Sequence, residues 1–456
     1  MQNMIQEQSI GVFDAHHPPD KNLLEDCVHC GFCLPTCPTY ALWGEEMDSP
    51  RGRIYLMELG RAGELEMNAT FVKHFDSCLG CMACLTSCPS GVQYDKLIEA
   101  TRSQIERNYP RTRADRLFRR MLFELFPRPD RLRRLAVPLW LYQHTLGALL
   151  RRIGILEHLP ARLRAMEALL PEFTLQSAHT IWPQIIPAQG QRRKRVGMIL
   201  GCVQRVFFNE VNAATLRVLQ AEGCEIVIPP TQGCCGALPV HAGQEVDALM
   251  MARRMIDTFQ QASFDSLDAI IINAAGCGST LKEYGYLLRD DPQYARRAQA
   301  FADKCVDISE FLAELEPRAP RNPLPLRIAY HDACHLQHAQ QIRSQPRKVL
   351  QGIPGVELYE IAEAAICCGS AGIYNLVQPE PAQVLGDRKV QHILQTQADV
   401  VISSNPGCLL QIKSGMARAG YTIPVLHFVQ VVDAAIQAMP LQDLFNTTNK
   451  HSLTIP

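Results

Sequence analysis

The sequence predicts a multidomain chain of α and α/β class: an N-terminal helical module, a basic helical spacer and two tandem α/β domains. Three observations predict it. Two runs of four cysteines with matching spacing lie within the first 100 residues. A stretch in which arginines alternate with leucine, phenylalanine and methionine at helical spacing follows. From about residue 195 onward, short β-branched runs alternate with helical segments, and the whole pattern occurs twice. The expected divisions are 1–110, 111–190, 191–320 and 321–456.

The chain has 456 residues, 18 of them cysteine, and a formal net charge of −1. A chain of this length buries a large core without covalent staples, so the cysteines are not explained as the disulfide framework of a small secreted domain. The opening MQNMIQEQSIGVFDAHHPPD has neither a basic nor an apolar signal-peptide region. Reduced thiolates acting as metal ligands in the cytoplasm are the better expectation. The balance of 45 basic and 46 acidic residues carries no sign of nucleic-acid binding. No segment reaches the roughly 18–20 apolar residues that span a bilayer. The nearest, 135–150, is broken by Pro138, Gln143 and His144.

In the first module the run Cys27-x-x-Cys30-x-x-Cys33-x-x-x-Cys37-Pro38 recurs as Cys78-x-x-Cys81-x-x-Cys84-x-x-x-Cys88-Pro89. Three thiols spaced by three let one loop wrap a cubane, while the fourth lies too far along the chain and serves the other cubane. One [4Fe–4S] cluster is therefore expected on Cys27, Cys30, Cys33 and Cys88, and a second on Cys37, Cys78, Cys81 and Cys84. Structural zinc sites also take four thiolates, but their ligands usually come as CxxC pairs. The gap from Pro38 to Ser77 holds SPRGRIYLMELGRAG, which reads as a helix from Arg51. That favours a helical ferredoxin-like module over a small mixed sheet. Arg51 and Arg53 are expected either near the clusters or in a solvated first turn, and His29 tunes the solvent exposure of its loop.

Residues 111–164 carry thirteen arginines and no lysine against four acids, a local +9 that leaves −10 for the rest of the chain. RADRLFRRMLFELF reads as amphipathic helix, with breaks at Pro127, Pro129 and Pro138. Such helices lie on an anionic membrane surface, dock an acidic partner subunit, or simply pack their apolar face on the flanking domains; all three readings stand. QSAHTIWPQIIPAQGQRRKR (176–195) reads as a linker.

The remainder is an internal duplication. RVGMILGCV matches RIAYHDACH, EIVIPPTQGCCG matches VELYEIAEAAICCG, and DAIIINAAGCGST matches DVVISSNPGCLLQ. The offsets are 132 from Cys202 to Cys334, 133 from Cys234 to Cys367 and 131 from Cys277 to Cys408. Strand–helix alternation predicts a parallel sheet in each copy, with functional residues gathered at the carboxyl ends of its strands. Cys202, Cys234, Cys235 and Cys277 should converge on one such rim, and Cys334, Cys367, Cys368 and Cys408 on another, as redox or metal sites. Buried packing cysteines are the alternative. Cys224 and Cys305 are left over, with Cys305 the better spare ligand. His331 and His335, flanking Cys334, are read either as ligand or proton carrier or as hydrogen-bonded structural residues, and His241 and His427 receive no role.

Two such iron–sulfur motifs followed by two Cys-Cys-Gly (CCG) domains resemble the glycolate oxidase iron–sulfur subunit family, and SPRGRIYLM, YHDACHLQHAQ and SSNPGCLLQ resemble its motifs. The resemblance implies an electron-transfer subunit of a glycolate (2-hydroxy acid) dehydrogenase, an oxidoreductase complex in which FAD sits on a partner subunit and electrons leave to a quinone or other acceptor. It implies no glycolate chemistry from this chain alone, and a location in the cytoplasm or peripheral to the membrane. Related lactate or glycerol-3-phosphate dehydrogenase subunits, and a heterodisulfide-reductase-like thiol/disulfide reductase, are the alternatives. The heterodisulfide-reductase type of CCG domain ends in Cys-x-x-Cys, whereas here the runs read Cys277-Gly-Ser-Thr280 and Cys408-Leu-Leu-Gln411. A further cluster, a zinc ion and an empty redox site therefore all stay open at these rims. No GxGxxG after a strand, GxxxxGK[ST], GxSxG or HExxH is present, so nothing readable holds a nicotinamide or flavin.

Overall fold

A computed structural model of the chain describes residues 10–445. Its first module is built from helices Lys21–Glu25, Pro38–Trp43, Pro50–Ala62, Ala69–Asp76, Ala83–Ser87 and Tyr94–Asn108. The long helix that opens at Pro50 starts where the sequence places it. Ser49 accepts a hydrogen bond from the Gly52 amide, Pro50 fills the first turn, and Gly63 closes the helix at φ 75°. Phe13, Ile54, Met57, Phe75, Leu97 and Ile98 fill the core between these helices. Within the described residues the module has no strand beyond the single bridge of Ile10 and Phe13.

The spacer is helical too: Arg113–Leu125, Pro129–Leu141, a π-helical turn Tyr142–Leu146, then Gly147–Arg152 and Ala161–Ala168. The expected break at Pro138 does not occur, because the helix from Pro129 runs through it. Proline removes one hydrogen bond to the residue four back, here Arg134, and Arg134 and Pro138 are both exposed, so the freed carbonyl lies on the solvent side of the helix.

Nine strands follow among the described residues: β1 (Ile185–Ile186), β2 (Lys194–Met198), β3 (Cys224–Val227), β4 (Ala269–Ile272), β5 (Cys305–Asp307), β6 (Leu326–Tyr330), β7 (Val356–Glu360), β8 (Val400–Ser403) and β9 (Val425–His427). They form two sheets, ordered β1-β3-β2-β4-β5 and β7-β6-β8-β9. Without β1 the two orders are the same, strand for strand, and every pairing is parallel. β1, which falls in the stretch read as linker, pairs antiparallel with β3 at the edge of the first sheet. A parallel strand order that reverses around its first strand opens a crevice there, so β2 and β4 flank it in one copy and β6 and β8 in the other.

The two copies are fastened to each other. Their inner helices Asn209–Ala221 and Phe428–Ile436 share one apolar core with Leu216, Leu219, Val429 and Val432. Across that seam Arg217 Nη2 donates to Asp433 at 2.6 Å, with both side chains nearly inaccessible. At the carboxyl ends of β4 and β8 the loops touch, the Ala275 amide donating to the Ser404 carbonyl at 3.0 Å and the Gly276 amide to Asn405 Oδ1 at 3.3 Å. The two crevices therefore face a common seam, above which the first module sits.

Candidate metal centres and thiol rims

The first module contains two neighbouring cavities. Cys27, Cys30, Cys33 and Cys88 line one, and Cys37, Cys78, Cys81 and Cys84 line the other, with Cys84 in the wall between them. The loops that carry these thiols have the same conformation. His29 and Gly80, each directly before the second cysteine of its run, take φ 51° and 61°; Gly31 and Met82, each directly after it, take 85° and 62°. Two left-handed residues flanking a cysteine curl the chain so that sulfurs spaced by three face inward, and a non-glycine residue held there is strained. The fourth cysteine of each run is delivered differently: Cys37 precedes the helix Pro38–Trp43 and Cys88 ends the helix Ala83–Ser87, and each lines the cavity of the other run. Eight thiols in two sets of four, with a loop curled around each set, fit two cubane clusters, and the donor set is all sulfur as such clusters require.

The surroundings differ in charge. Burial pushes the Cys81 and Cys84 thiols well up, and burial pushes Cys33 to about 11, so a bound metal must supply the charge that keeps them thiolate. At Cys78 burial also raises the thiol, but the Arg53 and Arg102 cations outweigh it and the net direction is down. Arg53 is fully buried rather than solvated. Its guanidinium donates to Ser77 Oγ at 2.9 Å, Thr39 Oγ1 at 3.2 Å and the His74 carbonyl at 2.6 Å, and it faces Asp48 at 3.4 Å. Arg51 pairs with Glu46 at 2.7 Å and donates to the His29 carbonyl at 3.0 Å, bracing the first loop. Arg102 ties the Cys78 carbonyl to the His241 carbonyl of the first CCG copy. Tyr94 donates its hydroxyl to Cys78 Sγ at 3.7 Å. Sequence reasoning missed Arg102 and Tyr94, since on a long helix neither carries a motif.

In each CCG copy the four thiols come together as a chain of sulfur contacts: Cys202, Cys234, Cys235 and Cys277 in the first, and Cys334, Cys367, Cys368 and Cys408 in the second. Glycine follows each cysteine pair at φ 82° (Gly236) and 87° (Gly369), a conformation that strains any other residue, and at Gly369 a Cβ would also sit 2.4 Å from the Ala382 carbonyl oxygen. Cys224 and Cys305 stand at the amino ends of β3 and β5, away from the rim, so neither joins its copy's thiol chain. The positions where a Cys-x-x-Cys ending would place a fifth thiol are filled unequally. Thr280 Oγ1 is buried with no partner among the described residues. Gln411 is fully engaged, donating to the Ala382 carbonyl at 2.9 Å and accepting from Asn375 Nδ2 at 3.0 Å.

The second rim touches the first module directly. Cys81 lies in one buried cluster with Cys334, Cys367, Ile366 and Tyr374. Thr86 is hydrogen-bonded to His338 Nδ1 at 2.7 Å, and His338 Nε2 donates to the Ala365 carbonyl at 3.1 Å, so the helix Ala83–Ser87, which carries Cys84, is pinned to the π-turn after Cys334. The His335 ring meets that of His241 in the first copy at a 50° tilt, with centroids 4.8 Å apart.

Family comparison gives matches over all of these parts. Residues 23–92 match a 4Fe-4S dicluster domain, 114–170 the linker region of the glycolate oxidase iron-sulfur subunit, and 196–282 and 328–413 a cysteine-rich domain named CCG. The chain is 40% identical over 424 residues to the probable glycolate oxidase iron-sulfur subunit of Bacillus subtilis, covering 92% of this chain and 95% of that protein. It is 36% identical over 418 residues to the glycolate oxidase iron-sulfur subunit of Escherichia coli, covering 91% and 95%. Lactate utilization protein A of an Exiguobacterium species is 29% identical over 243 residues, 53% of this chain and 98% of that protein.

Proposed function

The chain belongs to the glycolate oxidase iron–sulfur subunit family, and on that premise we propose how it works: electrons from a catalytic partner subunit cross the chain through the two cysteine-lined cavities of the first module. It is the electron-transfer, iron–sulfur component of an oxidoreductase complex acting on glycolate, with Cys27, Cys30, Cys33 and Cys88 holding one [4Fe–4S] cluster and Cys37, Cys78, Cys81 and Cys84 the other. Such clusters supply one-electron transfer, whereas oxidising a hydroxy acid to its keto form releases two electrons and two protons. The two-electron cofactor, FAD in our reading, therefore belongs to the partner, and the final acceptor is a quinone or another carrier. The eight thiols in two crossed sets are the observation that carries this reading.

The protein's own residues tune the route. Arg53 and Arg102 place positive charge beside Cys78, which favours the reduced state of the second set. The two CCG rims are further thiol centres, the second lying against the second set through Cys81. The division of the chain at 110, 190 and 320 follows the same parts. No described helix is long and apolar enough to cross a membrane; we place the complex in the cytoplasm, with the basic helices 111–164 as its route to a membrane acceptor or to the partner. A lactate-type subunit is the weaker reading, because that relative spans only about half of this chain.

Copurification tests this. The tagged chain, isolated anaerobically from its native cells, should bring down a flavoprotein, and the pair should oxidise glycolate with a dye acceptor while neither does so fully alone. Isolation of the intact chain with no flavin-bearing partner, or a pair that oxidises lactate and not glycolate, contradicts it.

A further inference from the structure

The two CCG copies share a fold and a thiol pattern but not their surroundings. At the end of β6 stands His331, whose counterpart at the end of β2 is Ile199. The helices Glu245–Gln261 and Pro379–Gln395 correspond through Ala248 and Ala382, which meet Gly236 and Gly369 in the same way. Along them Lys389 takes the place of Met255. Histidine and lysine thus enter the second rim where the first has two apolar side chains. The first rim instead holds Arg205, whose guanidinium donates to the Gly201, Gln232 and Gly233 carbonyls around Cys202 and Cys234.

We propose that the second copy, and not the first, holds a thiophilic metal centre ligated by His331, Cys368 and Cys408. The ligand atoms of these three buried residues lie within 4.8 Å of one another, and no group in the first rim meets that condition among the described residues. Zinc binds thiolate sulfur at about 2.3 Å and imidazole nitrogen at about 2.0 Å, which brings such donors roughly 3.5–3.8 Å apart. Modest contraction of side chains already in place brings all three donors to bonding distance and leaves a fourth position open. Two thiolates and one imidazole suit a zinc ion or the iron of a cluster.

The residues behind the ligands support the same assignment. Asn405 Nδ2 donates to Cys408 Sγ at 3.5 Å and orients that thiolate. The Lys389 ammonium is nearly inaccessible, is anchored on the Glu363 carbonyl at 2.7 Å, and has Cys368 as its leading opposite charge. Gln411, engaged by its own hydrogen bonds, closes the position where a Cys-x-x-Cys ending would place a fifth thiol, so histidine supplies the third donor instead. The centre deepens the proposed function, for Cys334 and Cys367, next in the sulfur chain, pack against Cys81. An iron centre there would extend the electron route into the second copy; a zinc ion would close it.

Metal analysis and X-ray absorption of the anaerobically purified full chain, at the zinc and iron edges, test this. The chain should carry one zinc ion, or iron beyond the ~8 atoms of two cubanes, with nitrogen in the shell of the additional metal. His331→Ile, which installs the residue the first copy uses, and Cys408→Ser should each lower that extra metal at least tenfold, while Cys277→Ser in the first copy leaves it in place. The cubane electron-paramagnetic-resonance signal, read on every variant, reports the fold. Extra metal that survives His331→Ile, that is lost equally in Cys277→Ser, or that is absent from the parent chain overturns the proposal. Failure of the electron-transfer reading would show instead as absent cubane signals in the parent chain, whatever the extra metal does.

Discussion

At the scale of single residues the protein spends charge where sulfur needs it and tolerates strain where a loop must curl. Arg53 is legible in the sequence only as a helix residue, yet it is buried among Asp48, Ser77 and Thr39, beside Cys78. A buried carboxylate with no such cation behaves otherwise. Asp307 opens the helix Ile308–Glu314, its Oδ1 accepting from the Ser309 amide at 2.8 Å and hydroxyl at 2.6 Å while Oδ2 has no partner. Burial raises it to about 6 from an ordinary 3.8, against the lowering from Ser309. The folded state therefore holds this proton between pH 4 and 6 and the unfolded state does not, so stability falls as pH rises toward 6 and levels off above it. Across that whole interval the loss amounts to about 3 kcal/mol. Urea unfolding at pH 5 and pH 8 should show Asp307→Asn, which can still cap the helix, losing less stability between the two than the parent; an equal loss would show that Asp307 ionises as an ordinary carboxylate.

At the scale of elements, the cysteine runs and the six duplicated strands are legible because each rests on a local signal: fixed ligand spacing, or an apolar run ending at cysteine. β1, β5 and β9 are not, being two or three residues long and formed only when a sheet edge is there to pair with. The helix through Pro138 departs from expectation for the opposite reason, since a local breaker is outweighed by the packing of Leu132 and Ala136 in the core. The seam between the copies is invisible too, because Arg217 and Asp433 are 216 residues apart. Burial raises Asp433 and Arg217 lowers it, the net direction being up, so the pair stands close to the balance between desolvation and attraction. Asp433→Ala, which strands a buried guanidinium, should cost about 3–5 kcal/mol in urea unfolding, and pairing Asp433→Leu with Arg217→Met should restore most of it. Equal losses in the single and double variants would mean that the seam is held by its apolar core alone.

At the scale of the whole molecule, the near-neutral total conceals a basic spacer between acidic parts, and the 18 cysteines resolve into structure. Eight line two cavities, eight form two rims, and Cys224 and Cys305 stand apart on strand ends. The sequence could order the thiols within each part, because spacing is local. Contact between Cys81 and the second rim could not be read, since it depends on how the helix Ala83–Ser87 docks on the turn His335–Ala339. The result is a chain whose sulfur sites adjoin one another from the first cavity to the second CCG copy.

The central claim is that the fourth cysteine of each run serves the other run's cluster, and electron paramagnetic resonance of the reduced chain tests it most directly. The parent should hold at least about 8 iron atoms and show two interacting [4Fe–4S] signals. Cys88→Ser should perturb the same signal as Cys27→Ser, and Cys37→Ser the same signal as Cys78→Ser. If Cys88→Ser instead perturbs the Cys78 signal, or if the eight thiols hold zinc and no iron, the account is contradicted.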